Sequence, residues 1–202
     1  MPYDIEELLR PPSATAALAL QAAERWCSPA VLRHSLRSWI WARSLADAEG
    51  LDYDAELLFV AAALHDIGVA EPFDAHRTPF ESAGGAAAWL FAAGAGWPTE
   101  RRTRLQEVIE RHMWVEVDPA VDIEGHLLEV ATSLDVAGAG PSRWDTRLLR
   151  AVTERLPRAE FAAEFDTAIR DQAERKPASA AARLAHSGRI ADGERACLTL
   201  TR

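Results

Sequence analysis

The chain has 202 residues, 49% of them hydrophobic, with 31 acidic against 22 basic side chains and a formal net charge of −9. A chain of this length can build a substantial core and needs no staple to fold, and its acidic balance disfavours nucleic acid or an anionic membrane as the main partner. The two cysteines, Cys27 and Cys197, stand near opposite ends and outside any CxxC pair, which argues against a disulfide framework or a cysteine zinc site and for a reduced, cytoplasmic setting.

The opening residues, MPYDIEELLRPPS, have neither a basic start nor an apolar h-region, so no export is expected. No run approaches the roughly 18 apolar residues of a membrane span. Residues 1–12 read as an extended lead-in closed by Pro11 and Pro12. Ser13 is a good N-cap for an alanine-rich helix through about Trp26, and Ser28 and Pro29 restart the chain in a second helix that ends at Gly50. In that helix His34, Arg37, Ser38, Trp41 and Leu45 recur at three- and four-residue spacing and share a face.

Asp52, Asp54 and Glu56 open a third helix, where the dipole favours them. Its run from Leu57 to Leu64 carries no charge and must be buried, yet it ends in His65 and Asp66. An ionised carboxylate there is costly unless paired or bound to a cation. Gly68 is expected to take the left-handed position that commonly ends a helix. Val69–Pro79 reads as a loop over the helix mouth, carrying Asp74, His76 and Arg77.

A small-residue helix is expected over Phe80–Ala93, a more polar one over Glu100–Trp114 with Leu105, Val108, Ile109 and His112 inward, and another over Ile123–Val136, which Asp122 can cap. Asp135 falls in the last turn of that helix, where the dipole favours cations instead. Ser142 is read as starting a helix over Arg143–Leu156, followed by an amphipathic stretch over Ala159–Glu174 and a less patterned, alanine-rich remainder. No strand alternation is evident. The expected fold is all-α, a helical bundle of roughly seven to nine helices.

His34, the His65–Asp66 pair and Asp135 thus lie on segments that otherwise look buried. Two imidazoles and two carboxylates suit one divalent transition metal, zinc, iron(II) or manganese, rather than copper(I) or an iron–sulfur cluster, and leave positions open for water and catalysis. Residues 34–135, in the order His, His-Asp, Asp, resemble the HD superfamily of metal-dependent hydrolases. The strings PPSATAALALQAAERWCSPAVLRHSLRSWIWA, ALHDIG, FESAGGAAA, ERHMW and SLDVAGAG resemble its cyanamide-hydratase-like branch over residues 11–140, and ERKP around Lys176 adds to the likeness.

The resemblance implies a helical HD domain over residues 13–175, with residues 176–202 as a helical extension open to partial flexibility. It implies His34, His65, Asp66 and Asp135 as metal ligands, with Asp66 and His112 in catalysis. Arg37, Phe80, Glu81 and Trp114 are the candidates for substrate contact, Arg37 having pairing with an acid as its alternative. Hydration of a C≡N group is the prototype reaction it implies. Met113 and Trp114 are bulkier than the residues expected after the pocket histidine, which points to a substrate other than cyanamide.

A phosphohydrolase is the alternative, although Ile67, Gly68 and Val69 follow the HD pair where many such enzymes carry a lysine, and Lys176 is the chain's one lysine. A dinuclear-iron oxygenase of the same fold needs two further histidines from His76, His112 and His126, and His126 lies about half a helical turn out of phase with Asp135. A non-catalytic module is disfavoured by an intact set of buried carboxylates. The expected partner is a small-molecule substrate, with homo-oligomerisation left open.

Overall fold

The computed structural model describes residues 3–200, with side chains described through residue 196, so Cys197 lies outside the described side chains. The described residues form eleven α-helices and two short 3-10 turns, with no strand. In order the helices are α1 (Ile5–Leu9), α2 (Ala14–Trp26), α3 (Pro29–Glu49), α4 (Ala55–Leu64), α5 (Phe80–Gly94), α6 (Thr99–Arg111), α7 (Ile123–Ala137), α8 (Thr146–Arg155), α9 (Phe161–Arg175), α10 (Ala180–Ser187) and α11 (Arg189–Leu200). None is long and apolar enough to cross a membrane.

The start signals act as the side-chain chemistry requires. Ser13 Oγ accepts from the Ala16 N–H at 3.0 Å, Ser28 Oγ from Val31 at 3.2 Å with Pro29 at the first helical position, and Asp54 from Leu57 at 3.0 Å. Asp122 caps α7 through the Gly125 N–H at 2.6 Å. Each such cap contributes about 1 kcal/mol. Every side chain from Leu57 to Leu64 is buried, because α2, α3, α5, α6 and α7 all pack around α4.

The helix count exceeds the expected seven to nine for identifiable reasons. The lead-in is partly helical: Asp4 caps α1 at the Glu7 N–H, 3.1 Å away, Ile5 is buried, and Trp39 Nε1 on α3 donates to the Leu8 carbonyl at 2.8 Å. The alanine-rich remainder forms α10 and α11, which pack on α9 and α7. Two boundaries also shift. Pro141–Arg143 is a 3-10 turn, so α8 starts under an Asp145 cap rather than at Ser142. Helix α6 closes at Arg111, which leaves Met113 and Trp114 outside it.

Gly68 differs from expectation in an instructive way. It has no positive φ and sits in a 3-10 turn, Ile67–Val69. Its lack of a side chain serves a close approach: a Cβ there would overlap the Phe80 carbonyl oxygen and lie 2.9 Å from the Gly84 nitrogen. The first turn of α5 therefore rests directly on the turn that follows Asp66. Gly68→Ala is expected to cost about 3 kcal/mol or more in urea denaturation, whereas Gly94→Ala, with nothing within 4 Å of its Cβ, should change stability little; equal effects would refute the close-approach explanation.

Two apolar clusters organise the interior. The larger spans α1 to α8, and a smaller one joins Ala30, Phe80, Val136, Phe161, Phe165, Ile169, Ala181 and Ile190 from α3, α5, α7, α9, α10 and α11. The loop after the HD turn is tied to the end of α9. Gln172 Nε2 donates to Asp74 Oδ1 at 2.7 Å and Arg175 donates to Asp74 Oδ2 at 2.6 Å. Buried Lys176 lies 3.5 Å from the same carboxylate and bonds Gln172 Oε1.

Candidate metal centre

Three side-chain atoms converge where α3 passes the end of α4. His34 Nε2 and His65 Nε2 are 3.1 Å apart, and Asp66 Oδ2 is 3.5 Å from the first and 3.3 Å from the second. An ion bound at about 2.0–2.2 Å to nitrogen and oxygen holds neighbouring ligand atoms roughly 2.8–3.6 Å apart, depending on its coordination number. All three separations fall in that interval. Each residue is almost fully buried, and neither Asp66 oxygen has a hydrogen-bond donor among the described residues. A buried carboxylate facing two imidazole nitrogens without a donor is satisfied by a cation, and the cluster of His34, His65 and Asp66 can hold a divalent metal.

The imidazoles are pre-oriented. His65 Nδ1–H donates to the Ala62 carbonyl at 2.9 Å, and His34 Nδ1–H donates to Asp135 Oδ2 at 2.7 Å, so both Nε2 lone pairs point into the cluster. Burial lowers the His34 pKa by more than Asp135 raises it, which keeps the ring neutral. Burial works to raise the Asp66 pKa, but His65, His34 and His112 outweigh it and hold the carboxyl below the usual carboxylate range.

Asp135, expected from the sequence beside these ligands, faces the other nitrogen of His34, and the three-atom cluster forms without it. The physical reason is Arg37. This arginine is fully buried, and its Nε and Nη2 donate to the two Asp135 oxygens at 2.8 and 2.7 Å, while Trp41 Nε1 adds a contact at 3.3 Å. Burial would raise the Asp135 pKa, but the charge and hydrogen bonds of Arg37 hold it well below the normal value. Arg158 also leans on this residue, donating to its backbone carbonyl. Arg37 thus takes the acid-pairing alternative.

The order and placement of these residues match the HD domain over residues 31–135, about half of the chain. The chain belongs to the HD domain family. It is also 28% identical over 171 residues to two proteins of Saccharomyces cerevisiae, cyanamide hydratase DDI2 and cyanamide hydratase DDI3. Each alignment covers 83% of this chain and 76% of the yeast protein.

The HD-domain cluster opens into a cavity of about 210 Å³. His112, the residue that closes α6, has Nδ1 tied to the Ile109 carbonyl and Nε2 3.7 Å from Asp66 Oδ1. Burial, then the neighbouring His65, pushes its pKa down to about 3. Phe80 is buried edge-on behind the His112 ring, with centroids 5.8 Å apart, and His34 stacks on Phe161 at 4.5 Å. Of the four expected substrate contacts, Trp114 lines the cavity; Arg37, Phe80 and Glu81 do not. Glu81 is buried, its Oε2 has no hydrogen-bond partner, and burial raises its pKa. His76 is exposed on the loop, and His126 Nδ1 faces the Val117 carbonyl at 2.9 Å.

The remaining walls include residues that the sequence did not flag: Thr132 and Ser133 on α7, Arg183, Leu184 and Ser187 on α10, and Arg189 on α11. One signal was present. Ser179 is a helix cap, accepting from the Ala182 N–H at 3.2 Å, and Gly188 is a helix stop, so α10 could have been found, though not the face it turns toward the HD centre.

Proposed function

We propose that this HD domain is a metal-dependent hydratase that adds water across the C≡N bond of a small polar substrate, with cyanamide as the prototype. The observation that carries this reading is the cluster of His34, His65 and Asp66 opening into a largely apolar cavity, in a chain similar over most of its length to yeast proteins named cyanamide hydratases. Phosphoryl transfer needs cationic stabilisation of the moving group, and the guanidiniums buried beside the cluster, Arg37 and Arg158, both lie against Asp135. This favours a neutral electrophile at the metal.

His34, His65 and Asp66 would hold zinc, iron(II) or manganese, and Asp135 would keep the His34 ring in register. When bound, such an ion acidifies a water and polarises the nitrile. Hydration forms a C–O bond, breaks one π bond of C≡N, and moves one proton from oxygen to nitrogen before tautomerisation to the amide. Asp66 Oδ1, without a donor of its own and 3.7 Å from His112 Nε2, orients the water proton. With its Nδ1–H on the Ile109 carbonyl, His112 presents Nε2 as a relay that takes that proton and hands it on to the nitrile nitrogen, burial making its protonated form short-lived.

Two measurements test this. Purified protein loaded with a divalent ion should hydrate a nitrile from a panel of cyanamide and small nitriles to the corresponding amide and release no phosphate from phosphomonoesters or nucleotides; phosphate release alone would overturn the assignment. His112→Gln should retain the metal and lose turnover by about 10²–10⁴-fold. A variant with undiminished rate would remove His112 from the mechanism.

A further inference from the structure

The cavity is larger than its prototype substrate needs. At about 210 Å³ it holds several waters, more than the three non-hydrogen atoms of cyanamide displace. Between the cluster and solvent the walls are mostly apolar, with Met113, Val136, Phe165 and Leu184 among them. Beyond these, α10 and α11 contribute two exposed arginines to the lining, Arg183 and Arg189.

Neither arginine has a side-chain hydrogen bond or ion pair among the described residues. Most arginines of the folded body do: Arg37, Arg101, Arg104, Arg111 and Arg175 each face a carboxylate. The acids that influence the two, Glu81 on Arg183 and Glu129 on Arg189, are themselves buried and have pKa values raised by burial. Their seats are fixed. Gly188, at φ 73°, turns the chain between the two helices, and Gly193 lets α11 lie against α7, where a Cβ would come within 2.8 Å of the Ala137 Cα. In a chain of net charge −9, two guanidiniums with no side-chain hydrogen bond in the lining of the metal cavity are suited to an anion.

We infer that the substrate is a small organic acid longer than cyanamide, bound with its nitrile at His34, His65 and Asp66, its short apolar chain along the walls, and its carboxylate on Arg183 and Arg189. This rests on the hydratase reading and adds the substrate class. The arginines hold the end that does not react, and their guanidinium forks can take a carboxylate bidentately.

The test compares β-cyanopropionate with its isosteric amide, β-cyanopropionamide, on the metal-loaded full chain. Wild type should favour the acid in kcat/KM by about tenfold or more. In the R183Q/R189Q double variant that ratio should fall to about one, mainly through KM. Equal kcat/KM for acid and amide in wild type overturns this inference and leaves nitrile hydration standing. If no nitrile is turned over, the hydratase reading fails instead, and calorimetry still decides the anion site: wild type should bind the acid more tightly than the amide, and the double variant should not discriminate. Tighter competition by propylphosphonate than by butyrate would overturn the choice of carboxylate.

Discussion

Asp66→Ala is expected to abolish metal binding and turnover together, with activity falling at least about a thousandfold. In the metal-free protein the Asp66 carboxylate, 1% exposed, sets a desolvation cost against the attraction of His65, His34 and His112, so the substitution should change stability far less than it changes metal affinity. Wild type should therefore rise in Tm as zinc is added, by mass action on the folded state. The variant should show no such rise. One ion per chain retained by Asp66→Ala would remove this residue from the ligand set.

Asp135→Asn should cost about 3–5 kcal/mol in urea denaturation, since it leaves the fully buried Arg37 guanidinium without its carboxylate. It should also weaken metal binding by about 10–100-fold rather than eliminate it, because the asparagine no longer fixes the His34 tautomer from behind. That graded loss distinguishes an orienting acid from a ligand: a loss as complete as in Asp66→Ala would return Asp135 to direct coordination. The acid limb carries a further signature. The Asp135 pKa is depressed in the folded state, so its contribution is fully present above the unfolded value of about 3.9 and is lost as pH falls toward the folded value. The asparagine variant should lack that part of the acid-induced loss of stability.

Helices were legible in the sequence wherever local chemistry fixes them. Ser13, Ser28, Asp54 and Asp122 each accept from a backbone N–H two or three residues into the helix, and such bonds depend on near neighbours alone. The metal cluster was legible through the misplaced charge at the end of an uncharged helix. The direction of Asp135 was not, since His34 and Arg37 on α3 meet Asp135 on α7 only through the packing of the two helices, about a hundred residues apart in sequence. A buried guanidinium settles it by taking both oxygens. The cavity walls were least legible, because Arg183 and Arg189 owe their place to the packing of α10 and α11 on α9 and α7, which involves contacts distant in sequence.

The tie between the loop and α9 has a practical side. Lys176 is the chain's single lysine, and its Nζ lies buried between Gln172 and Asp74. Acylating reagents that seek a free ε-amine therefore meet none on the folded surface. Any acylation at this position reports the moments when the segment that follows the HD turn lifts away from the end of α9, and its rate, compared with that of the unfolded chain, measures how often that tie comes loose.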